Sequence, residues 1–250
     1  MSKENPTDLV IFGRHPVLQA LQAGRPLQRL LIARGTQGAI IDQIFEQVRR
    51  ARIPYDVVER AFLDRAAGTQ HQGVVAYLAA HPYIDFDQVL AGLDLEKAFL
   101  VFLDGIQDPY NLGAIIRSAH AVGADAVIAP ERGAAGLTGA VTKAAAGAIE
   151  YIPVCRVRNL QQALTRTREA GLWIMGLEEG GAHNFTELDY RGPCALVIGS
   201  ESRGLRRLVR QNCDFQVKIP MGRQEIGSFN ASVAAGLVLY EVFRQRHLSG

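Results

Sequence analysis

The chain has 250 residues, 48% of them hydrophobic and 21% charged, and a formal net charge of +2. That balance excludes a disordered polymer and fits one large globular domain or two smaller ones. No apolar run approaches the roughly 18 residues a bilayer span needs, and the opening MSKENPTDLV lacks the basic-then-apolar pattern of a signal peptide, so a cytoplasmic protein is expected. Charge is unevenly spread: residues 1–78 hold ten Lys and Arg against seven Asp and Glu, net +3, while the remainder holds seventeen against eighteen. Cys155, Cys194 and Cys213 are far apart and odd in number, and no pair of histidines has zinc spacing, which predicts free thiols and no metal.

In chain order, HPVLQALQAG reads as a helix, LQRLLIAR as a strand, AIIDQIFEQVRRA as a helix, and PYDVVER and HQGVVAYL as strands. These make a small α/β domain of residues 1–78. Pro82 and alternating acids then break the pattern, predicting a linker and lead-in helix over residues 79–97. From residue 98 to 250 the apolar runs FLVFLDGI, ADAVIAP, LWIMGL, CALVIGS and FQVKIPM are short and nearly unbroken. Strands buried on both faces read this way, so the second domain is expected to be a parallel sheet wrapped by helices. Ligands of such sheets sit at the carboxyl ends of strands. Three of those ends carry unusual residues: DGIQDPYNLGAIIRSA, IGSESRGL and IPMGRQEIGSFNAS.

In the first, Asp108 and Pro109 open a helix on which Leu112, Ile115, Ile116, Ala119 and Val122 share one side, with Gly113 and Arg117 opposite. Alone, Arg117 reads as a solvated surface arginine, although Gly113 leaves room beside it for something to approach. In the second, Gly199 and Gly204 flank Ser200, Glu201 and Ser202. Leu205 stands where a Walker loop needs lysine, and no G-x-G-x-x-G occurs, which weakens nucleotide and dehydrogenase readings. Glu201 is a plausible partner for a ligand or for Arg117. Arg203, Arg206, Arg207 and Arg210 follow as one predicted helical stripe, equally a solvated face and a phosphate-binding one. In the third, Ala231 to Leu239 is small or apolar all round, predicting a buried helix, between subunits or otherwise. Ser228 and Asn230 would cap it, or bind a polar ligand at its mouth.

Together, in this order and spacing, the three segments resemble the signature motifs of the SpoU (TrmH) family of the SPOUT superfamily, the S-adenosyl-L-methionine-dependent RNA 2′-O-ribose methyltransferases. The front domain, with GRHPVLQAL and HQGVVA, resembles the ribosomal-protein-like RNA-binding domain of the bacterial RlmB type. The resemblance implies a reaction centre at Asn111 and Arg117, with Gly199 at the cofactor and Glu201 beside it. It also implies a cofactor pocket of Ile219, Met221, Ser228, Phe229 and Asn230. A guanidinium is a poor base, its pKa lying above about 12; Arg117 is therefore read as a clamp on the phosphate next to the reacting ribose. Glu201 would orient Arg117, and Asn230 with Ser228 would position ribose or cofactor. The segment from Gly222 to Gly227 departs from the family turn, being more polar and longer, and Phe229 replaces a common leucine.

The resemblance further implies a carboxyl-terminal trefoil knot, a homodimer through the second domain, and RNA as partner. Arg14, Arg25, Arg29 and Arg34 of the basic front domain would hold RNA, with Arg203 and Arg207 adding a weaker contact. The expected activity is methylation of a guanosine ribose in 23S rRNA; alternatives are a tRNA ribose 2′-O-methyltransferase and a non-catalytic RNA-binding ribosome-assembly factor.

Overall fold

A computed structural model describes residues 10–78, 81–201, 203–222 and 228–248. The chain divides into two compact units, Met1–Pro82 with Gly136–Ala140, and Tyr83–Ala135 with Val141–Gly250.

The first unit runs β1 (Val10–Phe12), α1 (Arg14–Gln22), β2 (Leu27–Ala33), α2 (Ala39–Arg50), β3 (Tyr55–Val58), α3 (Arg60–Ala67) and β4 (Val74–Leu78). Its sheet order is β1-β4-β2-β3, with β2 and β3 parallel and the other pairs antiparallel. Strand side chains alternate between faces. Leu30, Ile32, Val74 and Ala76 meet Val17 and Leu21 of α1 and Ile41, Ile44 and Val48 of α2, while Leu31, Ala33, Val75 and Tyr77 gather on the other face around Leu63 of α3. The helix α3 is absent from the sequence reading, because only Leu63 of its eight residues is fully buried and no apolar period shows. His71 is fully buried; the Gly73 N–H donates to its Nδ1 at 2.8 Å, so its own proton sits on Nε2, 2.9 Å from the Asp64 carboxylate.

The second unit runs α4 (Phe86–Ala91), β5 (Phe99–Asp104), α5 (Pro109–Ala121), β6 (Ala126–Pro130), all but the first two residues of α6 (Gly139–Ala145), β7 (Val154–Val157), α7 (Leu160–Glu169) and β8 (Trp173–Leu177). It continues with β9 (His183–Asn184), β10 (Cys194–Gly199), α8 (Arg207–Arg210), β11 (Phe215–Lys218) and α9 (Ala231–His247). The seven strands lie in the order β7-β6-β5-β10-β8-β11-β9, and every neighbouring pair is parallel, as the unbroken apolar runs predict. Leu100, Phe102, Val197 and Ile174 pack with Phe86 of α4, Leu164 of α7 and Val209 of α8 on one face. The alternate residues Phe99, Val101 and Leu103 are buried on the other, where α5 packs against α9. Within the segment read as a linker, residues 79 and 80 lie outside the described residues, and Ile84 already bridges Cys155 in parallel fashion.

One expectation is corrected here. Gly113 does not lie on an open face with Arg117: it is buried, and a Cβ there would lie 2.5 Å from the Ala144 Cβ and 2.7 Å from the Val141 carbonyl oxygen. Its missing side chain instead lets α5 and α6 approach closely. The helix α9, expected to be buried between subunits or otherwise, is two-sided within one chain. Ala235, Val238, Leu239 and Val242 are buried, whereas Val233, Leu237 and Tyr240, spaced four and three apart on one face, are 51%, 40% and 56% exposed.

Candidate active site

The carboxyl ends of β5, β10, β8 and β11 converge, as they must in a parallel sheet. Asp108 caps α5, its Oδ2 accepting the Asn111 N–H at 3.0 Å, with Pro109 in the first turn. Asn111 is thereby fixed at the start of the helix. Its Nδ2 donates to Glu201 Oε1 at 2.9 Å and its Oδ1 accepts from Asn230 Nδ2 at 3.0 Å. The same Glu201 oxygen also accepts from Asn230 Nδ2 and, at 3.0 Å, from the Ala231 N–H. Asn230 in turn caps α9, its Oδ1 accepting from the Ser232 N–H at 3.0 Å and the Val233 N–H at 3.3 Å. Three segments spread over 120 residues thus meet at one carboxylate oxygen.

Two sequence expectations change at this point. Glu201 engages Asn111, Asn230 and the start of α9, not Arg117. Capping falls to Asn230 alone, because Ser228 lies two residues too early and faces the cavity described below.

The loop carrying Glu201 is held on both sides. Ser200 and Gly204 exchange backbone hydrogen bonds of 3.2 and 2.8 Å, closing a tight turn after β10. A Cβ on Gly199 would sit 2.5 Å from the Gly204 carbonyl oxygen and 2.7 Å from the Leu205 nitrogen, so only glycine lets the turn fold back on its strand. Beyond the turn, Glu178 at the end of β8 accepts the Leu205 N–H at 2.9 Å, and Asp104 at the end of β5 accepts the Arg206 N–H at 2.7 Å. Consecutive amides are therefore captured by carboxylates from the strands flanking β10. Neither acid was singled out from the sequence, although each closes an otherwise apolar run, which is the signal that could have found it.

These same acids break the expected arginine stripe. Asp104 binds Arg206 Nε at 2.5 Å, and Glu178 lies 3.3 Å from Arg210 Nε. The helix α8 spans only four residues, so Arg203 lies in the preceding turn and Arg207 is exposed at the helix start.

Two cavities share a wall made of Ser200, Glu201, Arg203, Gly204 and Ala231. The first, about 340 Å³, is bounded by Leu177, Ile198, Gly199, Ile219, Met221 and Phe229 on its less polar side and by Glu178, Glu179 and Ser228 elsewhere. Of the six residues expected at a cofactor, Gly199, Ile219, Met221, Ser228 and Phe229 line this cavity, and Asn230 does not. The second, about 440 Å³, is lined by Asp104 to Asp108, Asn111, Arg132, Gly133 and Arg206 besides the shared wall. Arg117 lines neither. It is exposed on α5, six residues and so about 9 Å of helix beyond Asn111. The segment from Gly222 to Gly227 falls on residues 223–227, outside the described residues.

Among the arginines expected to hold RNA, three have intrachain partners. Arg14 donates to the Gln72 and Gln37 carbonyls at 3.1 Å each, while Arg29 lies 3.3 Å from Asp56 and Arg34 lies 3.0 Å from Glu59. The two ion pairs have side chains 44–72% exposed and are worth little to stability, so they hold these side chains loosely. Arg25 is exposed. Elsewhere in the second unit, burial pushes the thiols of Cys155 and Cys213 up to about 12 and that of Cys194 up to about 11, so none is poised as a nucleophile.

Residues 98–240 match the model of the SpoU rRNA Methylase family, and residues 10–84 match that of the RNA 2′-O ribose methyltransferase substrate-binding domain. A Bacillus subtilis (strain 168) protein, YacO, described as a TrmH family tRNA/rRNA methyltransferase, is 42% identical over 96% of this chain and 97% of its own. A Staphylococcus aureus (strain COL) protein described in the same way is 43% identical over the same shares. Among solved structures, the SpoU methyltransferase AviRb from Streptomyces viridochromogenes in complex with the cofactor AdoMet superposes with a TM-score of 0.63 at 29% identity, covering 98% of this chain and 92% of that one.

Proposed function

We propose, for a chain that belongs to the SpoU (TrmH) family of tRNA/rRNA methyltransferases, S-adenosyl-L-methionine-dependent methylation of the ribose 2′-hydroxyl of a guanosine in 23S rRNA. The observation that carries this reading is the meeting of Asn111, Glu201 and Asn230 in and beside the wall between two cavities.

The first cavity fits S-adenosyl-L-methionine. Its apolar side of Ile198, Ile219, Met221 and Phe229 suits a purine, and its three carboxylates, Glu178, Glu179 and Glu201, against one guanidinium, Arg203, suit a ligand of net positive charge. Bound there, the cofactor supplies an electrophilic methyl on a sulfonium. The chain's own work is alignment, since a ribose hydroxyl is a weak nucleophile and gains most from being held in line. Glu201 fixes both amide side chains; Asn111 presents its amide to the second cavity, and Asn230 stiffens it from behind while anchoring α9. Ser228, on the first cavity, holds the cofactor's polar end. Glu201, in the common wall, is the group best placed to receive the hydroxyl proton. Arg117, outside both cavities, is assigned to RNA flanking the target, as are Arg14, Arg25, Arg29 and Arg34 of residues 1–78, the substrate-holding domain. The methyltransferase domain is residues 98–250, with the family's knot at its carboxyl end. Its homodimer is assigned to the exposed Val233, Leu237 and Tyr240 face of α9, an apolar stripe that a second copy would cover.

Purified protein incubated with methyl-labelled cofactor and, separately, 23S rRNA and tRNA tests the reading. Label in 23S rRNA, at a ribose resistant to alkaline cleavage and absent with Glu201→Ala, is expected. Label in tRNA alone would replace the rRNA assignment, and no label in any RNA from a folded, cofactor-binding protein would overturn the catalytic one.

A further inference from the structure

The second cavity holds hydrogen-bond donors that the reaction centre does not use. Its lining carries three acids and three arginines. Every acid is already engaged: Asp104 by the amide and guanidinium of Arg206, Asp108 by the Asn111 N–H, and Glu201 by three donors. Arg206 is consumed in the first of these. Two guanidiniums remain, Arg132 just beyond the end of β6 and Arg203 in the turn after β10, and neither makes an ion pair or side-chain hydrogen bond among the described residues. They stand on opposite sides of the β5 strand end, since β6 and β10 are its two neighbours in the sheet.

We propose that Arg132 and Arg203 form an anion subsite for a phosphodiester of the acceptor RNA, seated in the second cavity beside Asn111. This deepens the proposed function and rests on it for the identity of the ligand. A planar guanidinium offers paired donors that match two phosphate oxygens, which lysine cannot do, and a phosphate fixed there registers the attached ribose against the shared wall. The cofactor's own carboxylate is the competing anion. Arg203 borders both cavities, but Arg132 borders only the second, which places the pair's common ligand on the RNA side.

The test uses full-length protein with Arg132→Ala and Arg132→Lys, a single-stranded rRNA fragment titrated without cofactor at several salt concentrations, and calorimetry of S-adenosyl-L-methionine alone. Arg132 is exposed, so both variants are expected to melt with the wild type. Arg132→Ala should weaken RNA binding by about tenfold and lower the salt slope by about 0.7, the share of one phosphate on a single strand. Arg132→Lys should restore the slope and only part of the affinity, and in turnover the loss should fall on KM for RNA. Unchanged RNA affinity and slope in Arg132→Ala would overturn the proposal, as would a loss confined to cofactor affinity. Because RNA binding is read without turnover, weakened binding in Arg132→Ala would uphold the subsite even if the wild type transferred no methyl.

Discussion

Asp104 is the most informative side chain to alter, because its contacts are few and its burial complete. Its carboxylate is 1% exposed and accepts two hydrogen bonds, from the Arg206 amide at 2.7 Å and Arg206 Nε at 2.5 Å. A hydrogen bond to a charged group contributes about 1.5–3 kcal/mol. The Arg206 side chain is 57% exposed, so its guanidinium returns to water when the pair is broken, and that half of the loss belongs at the low end, about 1 kcal/mol. The backbone amide is part-buried and loses its acceptor, for about 1–3 kcal/mol more. Asp104→Ala should therefore cost about 2–4 kcal/mol, and Asp104→Asn, which can keep one acceptor for the amide, about half of that. At about 2–4 °C per kcal/mol for a unit of this size, the alanine variant should melt roughly 5–15 °C lower. Freed of Asp104, the turn that presents Glu201 loses one of its two flanking ties, and a displacement of about 1 Å at the reacting groups costs about a hundredfold in rate. Calorimetric melting and single-turnover methyl transfer check both parts. A melting point within 2 °C of wild type together with full activity would refute the reasoning.

Three further outcomes are expected. On the proposed homodimer, Leu237→Glu should leave the melting of the single chain nearly unchanged, because the side chain is already 40% exposed, but shift the protein toward monomer in sedimentation; a monomeric wild type would overturn the homodimer, and an unaltered dimer would move the interface elsewhere. With thiols at about 11–12, the thiolate fraction at pH 8 is about 0.1% or less, against about a quarter for an ordinary cysteine, so native alkylation should run at least about a hundredfold slower than in urea; rapid labelling would contradict the burial. Glu241 is buried, and its hydrogen bond from Arg244 holds its carboxyl below the ordinary glutamate value of 4.5, so the stability it contributes is complete above that pH and disappears as pH falls through the folded value. Glu241→Gln should accordingly flatten the decline in stability below pH 4.5, and an unchanged acid limb would show that the pair adds nothing.

What the sequence discloses here follows the range of each interaction. The strands of the large sheet are legible because FLVFLD and CALVIG are apolar on both faces, and Asp108 and Asn230 are legible as caps because capping acts within three residues. β7 escapes notice, since VCRV is four residues long and half-buried at the sheet edge. The arginine stripe fails for a different reason: a helical wheel assumes a helix, whereas the partner of Arg206 lies 102 residues away and stops the helix from starting earlier. Gly113 is misread in the same way. Its neighbour is a second helix, and no local pattern names that neighbour.

The pairing of β5 with β10 sets a condition on synthesis. Phe99 aligns with Cys194, 95 residues later, whereas Leu100 finds its other neighbour at Ala126. A ribosome adding about 5–20 residues each second delivers β6 within a few seconds and β10 only about 5–20 s after β5. Throughout that interval one edge of a strand apolar from Phe99 to Leu103 is without its native partner, so the nascent chain passes through a stage at which it invites association with other unfinished chains.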